Sequence, residues 1–232
     1  FLEKGILIRG SWYPLLKMEW ISGVNLRQYI KDNINDSNKL RLLANNWKDM
    51  CNTLRSCRIA HGDLHPDNVI MSRHGMKLVD YDGVFVPRLG GFGPTTRGLP
   101  NYQHPNINAS NYFGAELDNF SSILIYTSIL TLSYNPQLWE YTGTHKDDKK
   151  LIFQSSDFVT QSPIIAQAMS LNEEIKICLT ALQKASKNLP EQTPPLNEVL
   201  KTLPRSHSTV TAQRPPVAQR HQITFYSDKS SS

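Results

Sequence analysis

The chain has 232 residues, of which 39% are hydrophobic and 19% are charged, and its formal net charge is +5. These values are typical of a soluble globular protein. No window of about eighteen consecutive apolar residues is present, so neither a transmembrane helix nor a membrane partner is expected. The mild positive charge is not accompanied by interleaved aromatic and basic residues, so no nucleic-acid partner is expected either.

The three cysteines are scattered and form no C-x-x-C pair: Cys51, Cys57 and Cys178. This usage is typical of reduced thiols in a reducing compartment, and it predicts a cytoplasmic protein without a structural zinc site. The first residue is Phe1 rather than Met, and the first segment has the character of mid-domain sequence. We therefore expect an N-terminally truncated sequence rather than a degenerate one.

Two strands are predicted at the start of the chain, at Ile6–Arg9 and Pro14–Ile21, around a turn at Gly10–Ser11. The second is almost continuously apolar, as a buried strand would be.

Two helices follow. Asn25 can cap a short helix that extends to Ile34, and Asp36 or Ser37 can cap a longer one. The longer helix has an apolar stripe at helical spacing, formed by Leu40, Leu43, Trp47, Met50, Cys51 and Leu54.

The polar stretch His61–Asn68 interrupts this pattern, and Pro66 excludes a helix through it. A short hairpin is predicted next, with strands at Val69–Met71 and Met76–Val79. Residues Asp80–Pro105 are rich in Gly and Pro and have no sustained period, and a loop of this length in a compact domain is usually functional.

An apolar helix is predicted at Leu117–Leu132 and reads as a buried core helix. A polar connection covers Thr142–Lys150, and three weaker helices follow at Ser162–Met169, Asn172–Lys187 and Leu196–Thr202. From Pro204 onward Ser, Thr, Arg, Pro and Gln dominate, which predicts a disordered basic tail.

Three side chains in the middle of the chain have the chemistry of phosphoryl transfer. Asp63 is a carboxylate in a loop after a helix, Asn68 precedes a strand, and Asp80 ends the next strand. A carboxylate can orient an acceptor hydroxyl or take its proton, and Asn and Asp oxygens are ligands that suit Mg²⁺.

These residues lie in segments that resemble motifs of the protein-kinase superfamily. The motifs occur along the chain in the same order as in that family. His61–Asn68 resembles the catalytic loop, and Lys77–Gly83 resembles the metal-binding segment that normally ends in Asp-Phe-Gly. Gly98–Asn106 resembles the end of an activation segment, Asp118–Ile123 the start of the central buried helix, and Lys17–Gly23 the hinge.

The resemblance implies an α+β, protein-kinase-like fold that consists mostly of the helical C-terminal lobe. Residues 1–21 would be a remnant of the strands and hinge of the N-terminal lobe. Residues 22–203 would be the C-terminal lobe, and residues 204–232 the disordered tail.

The finer pattern is similar to a bacterial group of serine/threonine-kinase-like proteins. It consists of His-Gly-Asp-Leu, Asp-Tyr-Asp-Gly-Val-Phe-Val-Pro and Asn-Tyr-Gln-His-Pro. Members of that group are often encoded beside phosphatases and von Willebrand A-type proteins, which the resemblance suggests as partners.

The resemblance implies a role for each matching position. Asp63 would be the catalytic carboxylate, and Asn68 and Asp80 would hold Mg²⁺ between the phosphates of ATP. The adenine pocket would be formed by Met18 at its back, the backbone of Glu19 and Ile21 at its edge, and Ile70 at its floor.

Further positions would support the loop or the metal. His61 would brace the catalytic loop and Asp118 would anchor it. Asp82 is open to two interpretations, as a second metal ligand or as a turn residue before Gly83, and the turn is favoured.

The pattern departs from the family at several positions. Gly62 replaces the Arg that grips a phosphorylated activation segment, so activity is expected not to depend on such phosphorylation. His65 replaces the Lys that normally neutralises the transferred phosphate, and it is the second candidate catalytic residue. Asp82 replaces the first glycine after the metal-binding Asp-aromatic pair, and Asn106 stands where a Glu usually closes the activation segment.

The function implied is ATP-dependent phosphorylation of Ser or Thr hydroxyls on a protein substrate. Two alternatives remain open: a small-molecule kinase of the aminoglycoside type, and a catalytically inactive pseudokinase scaffold. No Gly-rich loop or third-strand Lys is identified upstream, since Lys4 and Lys17 lack a suitable context. We therefore expect the 232 residues alone to be almost inactive.

Overall fold

The computed structural model describes residues 1–94, 96–147 and 149–204, and within them the chain has a mixed α+β fold. The described part contains two small antiparallel sheets and eight α-helices. The predicted disordered tail, from residue 205 on, lies outside the described residues.

The first sheet is a two-stranded ribbon of β1 (Leu2–Ile8) and β2 (Ser11–Leu15). The prediction of a buried strand reaching Ile21 was wrong, because β2 ends at Leu15 and all of its residues are exposed. Met18 is 69% exposed and Trp20 is 88% exposed. Apolar composition predicts burial only where another layer is available, and the described residues provide none over this ribbon.

The second sheet contains β3 (Val24–Asn25), β4 (Val69–Ser72) and β5 (Gly75–Leu78), in that order and antiparallel. It confirms the predicted hairpin, with Val69 opposite Leu78 and Ser72 opposite Gly75.

The predicted helix caps are confirmed. The Asn25 side chain accepts a hydrogen bond from Gln28 N at 2.8 Å and starts α1 (Leu26–Asp32). The Asp36 side chain accepts from Lys39 N at 3.0 Å and starts α2 (Ser37–Ser56). These oxygens satisfy backbone N–H groups that have no partner inside the helix.

The central helix α3 (Asn119–Tyr134) is buried on every side up to Ser133, in agreement with an apolar sequence whose polar residues are mainly Ser and Thr. It packs against α2 and α7, and the indole N–H of Trp47 donates to Ser122 O at 3.0 Å. The remaining helices are α4 (Leu138–Tyr141), α5 (Ser155–Thr160), α6 (Pro163–Met169), α7 (Glu173–Ala185) and α8 (Leu196–Leu200).

The last three helices were predicted, whereas α4 and α5 were not. The predicted polar connection at 142–150 contains the short 3-10 turn Thr144–Lys146, and Thr144 is fully buried. One cluster of buried apolar residues extends from Leu26 to Val199 and surrounds α3. Within the described ranges, no helix has both the length and the apolar character needed to cross a membrane.

Candidate functional site

The loop after α2 is fixed by a short antiparallel pairing with the segment that follows β5. Ala60 N donates to Phe85 O at 3.1 Å, and Phe85 N donates to Ala60 O at 2.8 Å. Gly62 has a φ of +78°, and a Cβ atom there would overlap the carbonyl oxygen of Gly83. Only glycine combines this left-handed backbone with so close an approach, which gives a local reason for the absence of Arg at position 62.

Asp118, which immediately precedes α3, holds the start of the same loop. Its carboxylate accepts hydrogen bonds from the backbone N–H groups of His61 and Gly62, the latter at 3.0 Å. Asp118 is buried, and this burial raises its pKa, although the nearby His61 and the two N–H donors act in the opposite direction. The loop is therefore attached to the central helix of the core.

His61 bridges the loop and the end of the hairpin. Its Nε2 lies 2.9 Å from Val79 O, an acceptor only, so Nε2 carries the proton. Its ring also lies 5.6 Å from the ring of Tyr81. The buried Nδ1 has no hydrogen-bond partner among the described residues.

Asp63 is half-buried, and both of its carboxylate oxygens have neighbours. Leu99 N donates to Oδ1 at 2.7 Å, and Oδ2 lies 3.4 Å from Asn68 Nδ2 and 3.5 Å from His65 Nε2. Burial tends to raise the pKa of Asp63. The hydrogen bonds from His65 and Leu99, with the electrostatic influence of the nearby His65 and His61 rings, lower this pKa below its usual value. Asp63 is consequently an ionised acceptor at neutral pH.

His65 is oriented by its own loop. Asp67 N donates to His65 Nδ1 at 3.3 Å, so the proton of the neutral ring lies on Nε2, which faces Asp63. The imidazole is stacked on the buried ring of Tyr102 with centroids 6.1 Å apart. His65 is thus in position to donate a hydrogen bond to the carboxylate.

Asn68 and Asp80 lie at the same end of the second sheet. Val79 N donates to Asn68 O at 3.0 Å, which extends the β4–β5 pairing by one residue, and Asp80 directly follows the residue that pairs with Asn68. Asn68 Nδ2 donates to Asp63 O at 2.9 Å, which leaves the amide oxygen of Asn68 as an acceptor.

Asp80 has a φ of +64°, a left-handed conformation that is uncommon outside glycine and is often found at functional positions. Its side chain is exposed. A carboxylate and an amide oxygen are ligand types that suit Mg²⁺, which is usually bound by one or two such protein ligands together with water and phosphate. In the chemistry of their oxygens, Asn68 and Asp80 therefore fit the metal that the sequence implied.

The four residues predicted to surround an adenine ring are only partly brought together. A Cβ atom at Gly23 would overlap Met71 O and the side chain of Ile70, so the chain just after Ile21 runs against β4. Met18 and Glu19 instead lie in an exposed segment outside any strand. Met18 is 69% exposed, so the described residues do not enclose it.

The segment 96–106 closes one side of the site, and three of its contacts were not anticipated from the sequence. A Cβ atom at Gly98 would overlap both Asp63 Oδ1 and Gln103 Nε2. Gln103 Nε2 donates to Gly62 O at 3.0 Å, and Leu99 supplies the N–H donor to Asp63. The only sequence signal was a glycine inside a loop, which does not identify its neighbour.

The far end of this segment is attached to α7. His104 Nε2 donates to Ala185 O at 2.9 Å. Asn106 Nδ2 donates to Ser186 O at 3.2 Å and to Asn188 O at 2.9 Å. The position expected to carry a Glu therefore carries an amide that satisfies carbonyl groups at a helix end.

Comparison with known proteins gives no family for this chain. No model of a protein family matches it, and no curated protein matches it in sequence.

Proposed function

We propose that this chain carries the lower half of the active site of an ATP- and Mg²⁺-dependent phosphotransferase with a protein-kinase-like fold. Its acceptor is a Ser or Thr hydroxyl on a protein. The observation that carries the proposal is the environment of Asp63, an ionised carboxylate with one oxygen hydrogen-bonded to Leu99 N–H and the other beside His65 and Asn68.

Asp63 Oδ2 is the oxygen available to an acceptor. Since Oδ1 accepts the 2.7 Å hydrogen bond from Leu99, a substrate hydroxyl approaches Oδ2, whose contacts at 3.4 and 3.5 Å are long enough to be replaced. Asp63 then orients the hydroxyl for in-line attack. A depressed pKa suits orientation, because it keeps the carboxylate ionised at neutral pH until the hydroxyl proton is transferred to it.

Phosphoryl transfer exchanges one phosphorus–oxygen bond for another. The substrate oxygen forms a bond to the γ-phosphorus of ATP, and the bond from that phosphorus to the bridging β–γ oxygen breaks, so that ADP leaves. The hydroxyl proton passes to Asp63 Oδ2. Asn68 and Asp80 would hold Mg²⁺, which would supply positive charge to the phosphates when bound.

His65 occupies the place of the expected phosphate-neutralising Lys and acts through a neutral hydrogen bond. Because Asp67 N–H donates to Nδ1, the Nε2 proton points to the reaction side of Asp63. His65 thus orients Oδ2 and can donate to a phosphoryl oxygen that approaches it.

The segment 98–103 supports a protein rather than a small molecule as the acceptor. It packs directly against Asp63 through Gly98 and Leu99, so an acceptor bound at this carboxylate would lie beside this segment. Such a backbone edge suits an extended peptide better than an isolated small molecule. The suggested association with a phosphatase and a von Willebrand A-type protein stays a prediction.

The test uses the polypeptide encoded by the complete reading frame, because no group that grips the triphosphate from the opposite side is identified in these 232 residues. It is incubated with labelled ATP, Mg²⁺ and a generic protein substrate, and in parallel with a panel of aminoglycosides. The proposal expects label on protein that is lost in Asp63→Asn, since the amide still accepts from Leu99 N but carries no charge.

Asp67→Asn is the matched control. Asp67 lies in the same loop and accepts a hydrogen bond from Asn25, but it does not contact Asp63 in the described geometry. This variant is expected to retain activity. Label on an aminoglycoside would instead identify a small-molecule kinase, and tight ATP binding without turnover would identify a pseudokinase scaffold.

A further inference from the structure

Two residues at the end of the segment 98–106 are attached to the C-terminal end of α7, on the opposite side of the segment from Asp63. His104 is 2% exposed, and its ring packs edge-on against Phe120 of α3 at 5.3 Å. Asn106 N donates to His104 Nδ1 at 3.1 Å, so Nε2 carries the proton that is donated to Ala185 O. The tautomer of His104 is therefore set by Asn106.

The acceptors lie at the C-terminal end of α7, where carbonyl groups have no intrahelical donor. Ala185 O accepts from Asn188 N at 2.8 Å in addition to His104. His104 and Asn106 supply side-chain donors to Ala185 O and Ser186 O, and Asn106 reaches Asn188 O as well. We call His104, Asn106 and these three carbonyls the α7 clamp.

The clamp is connected to Asp63 through a short and continuous series of contacts. Gln103, which directly precedes His104, is 6% exposed and donates to Gly62 O at 3.0 Å. Tyr102 N donates to Leu99 O at 3.0 Å and closes a turn, from which Leu99 N points to Asp63 Oδ1. Only a few residues separate the clamp from the N–H group that donates to Asp63.

We propose that His104 and Asn106 are positioning residues that hold Leu99 N–H on Asp63 by fixing the segment 98–106 to the C-terminal end of α7. The significance of this arrangement for catalysis rests on the function proposed above. The clamp consists of hydrogen bonds between neutral groups, in place of the Glu that usually closes this segment. It is therefore insensitive to salt, unlike a surface ion pair.

The test monitors the Leu99 amide directly by NMR in the ¹⁵N-labelled 232-residue chain. In Asn106→Ala the Leu99 amide is expected to exchange with solvent about tenfold faster, because the segment loses its attachment to α7. The amide of Ile123 in α3 reports on the core and is expected to keep its protection. A role limited to overall stability would accelerate both amides equally.

Asn188→Ala is the matched control. It removes the hydrogen bond from Asn188 Nδ2 to Lys184 O at 3.0 Å at the same helix end, but it keeps the backbone carbonyl that accepts from Asn106. Leu99 exchange is expected to remain at the wild-type rate in this variant.

His104→Gln provides a second variant if Asn106→Ala does not fold. The Gln amide can still donate to Ala185 O, but it lacks the ring nitrogen that accepts from Asn106 N. The proposal is overturned if Leu99 exchange equals the wild-type rate in every folded clamp variant.

Activity gives an independent reading in the polypeptide of the complete reading frame. There Asn106→Ala is expected to lower kcat about tenfold and to leave the KM for ATP unchanged, because the clamp acts on Asp63 and not on the nucleotide. If the wild type transfers no phosphoryl group, the proposed function fails, while the Leu99 measurement still decides whether the clamp positions Asp63.

Discussion

The carbonyl oxygen of Gly83 occupies the space that a Cβ atom of Gly62 would need. A non-glycine residue in a left-handed conformation costs about 1–3 kcal/mol. Gly62→Ala is expected to destabilise the fold by more than this amount. Gly143→Ala is the control, because Gly143 has a similar φ of +71° and no atom within 4 Å of its added Cβ. Urea unfolding of both variants measures the difference, and equal destabilisation would show that the contact with Gly83 does not matter.

Replacing Asp118 by Asn is expected to destabilise the fold. Asp118→Asn leaves one oxygen for the two N–H groups of His61 and Gly62, so one buried donor loses its acceptor at a cost of about 1–3 kcal/mol. Asp36→Asn is the control, because an amide caps the more exposed α2 start about as well as a carboxylate. Unfolding free energies that fall equally in both variants would contradict the anchoring role.

The stability of the fold is expected to decrease as the pH falls below 6.5, the ordinary pKa of a histidine side chain. Burial lowers the pKa of His104, whereas the Ala185 carbonyl and the charge of Glu191 act to raise it. The unfolded chain therefore takes up the proton first, and the stability present above 6.5 is lost as the pH falls toward the lower pKa of the folded state.

The midpoint of thermal unfolding is measured at a series of pH values from about 5 to 7.5, the range in which histidine titrates. The raised pKa values of Asp118 and Asp157 have the opposite effect, because their contribution is lost as the pH rises. The difference between wild type and His104→Gln removes these shared contributions. A difference that does not depend on pH would refute the assignment to His104.

The backbone conformation of Asp80 predicts that replacing this residue affects nucleotide binding without affecting the stability of the fold. Asp80→Gly places the residue that best tolerates a φ of +64° at this position, so the free energy of unfolding should change by less than about 1 kcal/mol. Mg²⁺-dependent nucleotide binding by the complete polypeptide should be lost, because the carboxylate is removed. Titration calorimetry and urea unfolding measure the two effects.

Gln161→Gly is the control for this substitution. Gln161 has a φ of +54° at the end of α5, so the backbone change is the same but no ligand is removed. Nucleotide binding should remain as in the wild type. If Asp80→Gly unfolds the chain while Gln161→Gly does not, Asp80 has a structural role instead.

The elements that the sequence predicted well are those with local signals. Asn25 and Asp36 cap helices through bonds to residues three positions ahead. The stripe of Leu40, Leu43 and Trp47 is buried because helical spacing alone places it on one face. The short helix α5 also had a local signal, since Asp157 accepts from Gln154 N, but six residues are too few for a periodic pattern.

The contacts that the sequence could not predict join residues far apart in the chain. The approach of Gly98 to Asp63 and the attachment of Asn106 to Ser186 depend on how α3 and α7 bring distant segments together. The burial expected for the strand through Ile21 failed for a related reason. Apolar sequence shows that a segment can be buried, but it does not identify what covers it.

The two sides of the proposed nucleotide site are expected to differ in their resistance to proteolysis, because one side is the β1–β2 ribbon. A two-stranded hairpin with exposed faces is only marginally stable by itself in water, whereas Asn68 and Asp80 lie beside the cluster of buried residues around α3. Among the described residues, a trace of trypsin should therefore cut first at the exposed Arg9 or Lys17, in or just after the ribbon, and leave a protected fragment that begins at Gly10 or Met18. Mass spectrometry of the digest identifies the cut, and early cleavage inside α2 would contradict this order. A ligand seated against the Met18–Ile21 segment would then be detected as a delay in the appearance of that fragment.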